Sequence, residues 1–140
     1  MAPERRRLAR LYRLERVRAL AKDQAARDAA EAEGTLAQLE ALIARTRAMR
    51  DDYRAARPAD GLALRQIGQF VDGLTGITAA TSTNAAQARA LADRKQADLA
   101  AAERRRAAVE DRATESQRQL ARREQSPALG ARRATGTGLE

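Results

Sequence analysis

The 140-residue chain has no cysteine, no histidine and no tryptophan, and its aromatic residues are limited to Tyr12, Tyr53 and Phe70. Without thiols or imidazoles there is no cysteine nucleophile, no zinc-finger ligand set and no histidine general base. No G-x-x-x-x-G-K-[ST] loop is present, and no pair of carboxylates sits in a pocket-like context. Ordinary catalysis is not expected, nor is a metal or cofactor, and any ATP hydrolysis would belong to a partner. Apolar runs are short, none approaching the roughly 18 residues that span a bilayer, and the N-terminus lacks the apolar segment of a signal peptide. A cytoplasmic protein is expected. Pro58 and Gly61 come together at one place, "RPADG", in a chain otherwise free of strong helix breakers from residue 4 to about 125.

Alanine supplies over half of the 44% hydrophobic content. With so little bulk available, a wide core cannot be filled, and a thin, elongated shape follows. Ala, Leu, Arg, Glu and Gln favour helix, while Val and Ile are scarce, so the chain reads as nearly all α. The net charge of +8 is concentrated at the ends: residues 1–22 hold eight basic and two acidic side chains, 104–140 nine and five, and 23–103 ten and twelve.

From Leu64 onward a heptad runs through two rows, one at Leu64, Val71, Thr78, Ala85, Ala92, Leu99, Arg106, Ala113 and Leu120, the other at Ile67, Leu74, Thr81, Ala88, Lys95, Ala102 and Val109. The first half keeps the spacing at Ala25, Ala29, Ala32, Leu36, Leu39, Ile43, Thr46 and Tyr53. It then needs an extra four-residue step, a stutter, to reach Ala21, Val17 and Leu14. A turn at "RPADG" makes facing residues sum to about 120, pairing Tyr53 with Ile67, Leu39 with Thr81, Ala32 with Ala88 and Leu11 with Val109. Pro58 drives Arg57 out of the helical region, Asp60 can cap the next helix, and Gly61 tolerates unusual dihedrals. The expected fold is all-α: a long antiparallel two-helix coiled-coil hairpin over 1–125, with helix 1 at about 3–57, a loop at 58–61 and helix 2 at about 62–125. A disordered tail is expected over 126–140. At ~1.5 Å per residue the rod would be roughly 80 to 90 Å long. Gly68, Gly73, Gly76 and "TSTN" (81–84) make helix 2 prone to bend or fray over 72–84.

Two surfaces exceed what a lone hairpin needs. Near the loop, the row flanking the seam on one side is apolar, with Leu42, Met49, Phe70 and Ile77, whereas the other side carries Glu40, Arg47, Arg54, Gly68 and Thr75. The first set either thickens the seam or docks another protein. At the open end Leu8, Leu11, Tyr12, Leu14, Val17 and Leu20 face little beyond Val109 and Leu99 among Arg104, Arg105 and Arg106. Together with Arg5, Arg6 and Arg7 these arginines form a basic cap suited to an acidic partner.

At "QLEALIARTRAMRDDYR" (38–54) followed by "FVDGLTGI" (70–77), the sequence resembles the FliJ family, the small coiled-coil stalk protein of flagellar type III export. The resemblance implies an antiparallel two-helix coiled coil, peripherally associated with a membrane export apparatus. Its implied partners are a hexameric export ATPase, an export-gate membrane protein and export chaperones. It implies gate contact at Gln38, Leu42, Met49, Tyr53, Phe70, Leu74 and Ile77. The termini would enter the ATPase ring, with Arg5, Arg6, Arg7, Leu8, Leu11, Arg104, Arg105, Arg106 and Val109 as the binding residues.

Two other readings compete. An arginine-rich nucleic-acid- or ribosome-binding coiled coil would account for the pI of about 11.2 and for 25 arginines among 27 basic residues. Against it, aromatics for base stacking are few and the middle of the chain is slightly acidic. A self-associating structural coiled coil is the third, because alanine-rich two-helix seams can pair into four-helix bundles.

Overall fold

A computed structural model describes the backbone of residues 2–136 and the side chains of 3–126. Two helices account for almost all of it, α1 (Ala2–Ala55) and α2 (Gly61–Gly136), with no strand among the described residues. The chain reverses between them. The Ala56 N–H donates to the Tyr53 carbonyl at 3.3 Å, tightening the end of α1 just before Pro58. Asp60 then starts α2: its carboxylate accepts the Ala63 N–H at 2.7 Å, and its carbonyl accepts the Leu64 N–H at 3.2 Å. That is an N-cap, satisfying a donor that the first helical turn leaves unpaired. No described residue has a positive φ, so Gly61 does not use the freedom expected of it. Proline and the aspartate cap suffice for the turn.

The chain forms two compact units. In one, residues 25–99, the loop-side parts of α1 and α2 lie against each other. The other joins the chain up to Gln24 with the chain from Ala100 onward. Within the latter, Tyr12 contacts Gln117 and Arg5 contacts Glu124. Seven residues back along α1 correspond to seven forward along α2, the signature of antiparallel pairing.

The buried residues are Ala29, Ala32, Thr46, Val71, Leu74, Thr78, Thr81, Ala85, Ala92, Val109 and Ala113, and every one belongs to the heptad rows read from the sequence. Three of them are threonines, whose hydroxyls donate to carbonyls one turn earlier: Thr46 to Leu42, Thr78 to Leu74 and Thr81 to Ile77, at 2.8 to 2.9 Å. A threonine that satisfies itself on its own helix can sit in a seam without an orphaned polar atom. Thr75 and Thr83 do the same with Val71 and Ala79. Accordingly α2 is unbroken through 72–84, despite its glycines and poor helix formers.

Three expectations are corrected. The first is the stutter. On α1, Leu8, Leu11, Glu15, Arg18, Lys22 and Ala25 are half-buried in unbroken alternation of three and four, leading directly into Ala29 and Ala32; of the residues the stutter would bring in, Leu14 is half-buried but Val17 and Ala21 are exposed. Long arginine and lysine stems line a seam with their methylenes, and counting only apolar residues overlooks them. The second is Leu64, an expected seam residue that is 59% exposed. Because α1 ends at Ala55, Leu64 has no turn of α1 opposite it, and the next seam positions, Ile67 and Val71, are half-buried and buried. The third is the end of α2. Helical backbone continues to Gly136 rather than stopping near Gln125, since Ala128, Leu129, Ala131, Arg132, Arg133 and Ala134 keep helix propensity past Pro127. The rest of the expected tail, 137–140, lies outside the described residues.

Gly34 and Gly76 are helical, with open space where a Cβ would sit. Each substitution Gly34→Ala and Gly76→Ala is expected to stabilise the chain by about 0.5 to 1 kcal/mol, by removing unfolded-state freedom and restoring helix propensity. A higher melting temperature by circular dichroism checks this.

Candidate functional site

The two flanks of the seam in the 25–99 unit differ sharply. On one side Arg89 donates to Glu40 at 2.6 Å, an exposed ion pair of modest worth that marks that flank as polar. On the other side the sequence pattern places Leu42, Met49, Phe70 and Ile77, and all four are exposed, at 38%, 45%, 45% and 52%. The buried residues here include Thr46, Val71, Leu74 and Thr78, and the four exposed ones flank them.

Phe70 is held in place as well as exposed. Tyr53 packs edge-on against it, the ring centroids 4.7 Å apart and the planes inclined by 62°. An edge-to-face pair of this kind fixes ring orientation and adds roughly 0.5 to 1.5 kcal/mol beyond burial. Tyr53 itself is 41% exposed, so it joins the surface rather than filling the seam position read from its heptad. Gln38 is exposed. Leu74 is buried beneath, supporting the surface without presenting its side chain. Of the residues expected at a gate contact, Tyr53 and Phe70 touch, Gln38, Leu42, Met49 and Ile77 are exposed, and Leu74 is buried.

Three apolar residues of this unit stood outside the expected set. Leu62 and Leu64, in the first turn of α2, are 67% and 59% exposed. Leu91 lines a shallow recess with Asp28, Glu31, Ala32, Thr35 and Lys95. Its heptad position continues the line of Phe70 and Ile77 with polar Asn84 intervening, and that periodicity was the available signal.

The other unit is dominated by charge. Residues 25–99 carry ten basic and ten acidic side chains, so the whole net charge of +8 falls on 1–24 with 100–140. Arg5 pairs with Glu124 at 3.4 Å, and Arg123 pairs with Glu4. The Tyr12 hydroxyl donates to Gln117 at 3.2 Å. Leu8 and Leu11 are half-buried and Val109 is buried, so the apolar members of the expected ring-binding set are committed to packing within the chain. Arg6, Arg7, Arg104 and Arg105 are exposed. Arg106 and Arg18 each bury an Nε without a hydrogen-bond partner, at a typical cost of about 1 to 3 kcal/mol per orphaned group.

No group of carboxylates able to hold a metal occurs among the described residues, and no helix is long and apolar enough to cross a membrane. What the arrangement offers is binding: an apolar surface anchored by paired rings in one unit and a strongly cationic surface in the other. Among known proteins, the model of the family described as the flagellar FliJ protein matches residues 7–127. No curated protein and no solved structure matches the chain.

Proposed function

We infer the role of this chain from the fact that it belongs to the FliJ family, and with it to flagellar export-related coiled-coil proteins. We propose that it is a non-enzymatic stalk and escort protein that couples a hexameric export ATPase to the membrane export gate and binds export chaperones. The observation that carries this reading is the exposed, ring-anchored patch of Leu42, Met49, Phe70 and Ile77 on a chain whose net charge lies elsewhere. Exposed apolar side chains gathered on one flank mark an interface more often than a lone hairpin's own packing. In this reading the patch meets the gate and the cationic surface meets the ATPase, which performs the hydrolysis.

The test is co-purification of the full chain with the export ATPase of its own organism, together with the effect on ATP turnover. Because Arg5 already serves Glu124, the informative variant reverses free charges, Arg6→Glu with Arg104→Glu and Arg105→Glu. Loss of ATPase stimulation with helicity retained is expected, and the wild-type interaction should weaken as salt rises. Stimulation unchanged in the triple variant removes the ring from the proposal, and tight salt-dependent binding of RNA in its place supports the nucleic-acid reading.

A further inference from the structure

The arginines of the N-terminal segment are not equivalent. Arg5 is engaged with Glu124, but Arg6, Arg10 and Arg13 are exposed and have no ion pair among the described residues. The seam of α1 here runs through Leu8, Leu11, Glu15, Arg18 and Lys22. Arg6, Arg10 and Arg13 lie on the side turned away from it, and the same line continues through Val17 and Leu20, 59% and 68% exposed. At ~1.5 Å per residue this line is about 21 Å long. It contains no carboxylate: Glu4 and Glu15 are half-buried toward the seam, and Asp23 lies roughly a quarter turn round the helix.

We propose that this outward line of α1 is a peripheral contact for the anionic phospholipid headgroups of a membrane surface. Guanidinium groups hold phosphates by paired, charge-assisted hydrogen bonds. A basic helix lying in the interface can place aliphatic side chains at the acyl boundary beside them. A docked protein helix suits the face less well, because such docking uses aliphatic anchors at i, i+3 or i+4, and i+7. Here Val17 and Leu20 form a single i, i+3 pair, preceded by Arg13 and followed by Gln24. A charged plane needs no third anchor. The charge distribution agrees, since the unit bearing this line holds all of the net +8. This contact goes beyond the proposed stalk role; Arg6 belongs to both surfaces, so the variants below leave it in place.

The full chain is sedimented with vesicles of phosphatidylglycerol mixed with phosphatidylcholine, and with vesicles of phosphatidylcholine alone. Binding to the first, absent from the second and falling with salt, is expected. R10E/R13E should weaken it about tenfold or more, since two attractions become repulsions. V17S/L20S, which leaves the net charge untouched, should weaken it about threefold or more. R47E/R65E, with the same charge change placed on the 25–99 unit, should stay within about twofold of the wild type. Circular dichroism shows that each variant keeps its helices. Equal loss in R47E/R65E and R10E/R13E would mean diffuse attraction to any cation and overturn the proposal. So would an unaffected V17S/L20S, or retention of RNA or an acidic helical peptide by a chain that ignores the anionic vesicles.

Discussion

Phe70→Ala is expected to abolish binding to the export gate while leaving the helices intact and lowering the melting temperature only modestly. The ring is 45% exposed, and its one aromatic contact is Tyr53, itself at the surface. Removing it forfeits that contact and part of a phenylalanine's burial, roughly 1 to 2 kcal/mol. A side chain that anchors a docked partner typically costs on the order of 2 kcal/mol or more when truncated, roughly thirtyfold in affinity. Gly73, one turn beyond Phe70 on the same face, has open space at its Cβ position, so a partner can approach the helix there closely. Two measurements on one variant separate the possibilities: pull-down of the gate's soluble domain, and thermal melting. Early melting accompanied by loss of ATPase stimulation would show that the ring serves the chain's own fold.

The second large effect concerns the seam. Ala29 and Ala92 are each 1% exposed, the most enclosed residues described. Ala92→Glu would put a carboxylate and an extra methylene where only a methyl fits, so the helices must separate or an unpaired charge must be buried. A loss of roughly 3 kcal/mol or more is expected, seen as a large fall in melting temperature. Ala86→Glu, at an exposed position on the same helix, should melt like the wild type. Similar melting of the two variants would contradict a seam through Ala92.

Periodicity made much of this legible beforehand. On α2 the heptad rows identified Val71, Leu74, Thr78, Thr81, Ala85, Ala92, Val109 and Ala113, all of them buried. The turn was legible too, because proline chemistry and aspartate capping are local properties of five residues. The exposed patch followed from the same register by taking the row beside the seam. What failed was reading hydrophobicity as burial at the N-terminal end. Val17 and Leu20 are apolar and exposed, while Arg18 and Lys22 are charged and half-buried. Where a sequence alternates arginine with leucine, geometry decides which face turns inward, and the decision there rests on keeping the three-and-four spacing intact. Leu64 misled for a different reason: its heptad position is sound, but its partner helix has already ended at Ala55.

The turn at Asp60 also sets an order of assembly. Tyr53 and Phe70 meet across a short stretch of chain, Glu40 and Arg89 are 49 residues apart, and Arg5 and Glu124 are 119 apart. Closing the last pair from an open chain would cost more entropy than closing the first. Growth outward from the turn spreads that cost, because each pair formed shortens the loop remaining for the next. A ribosome releasing the chain from its N-terminus has therefore made the whole of α1 before the first cross-helix contact can form. Arg5 is then late to find its carboxylate. Until Glu124 has been synthesised, Arg5 stands as free as Arg6.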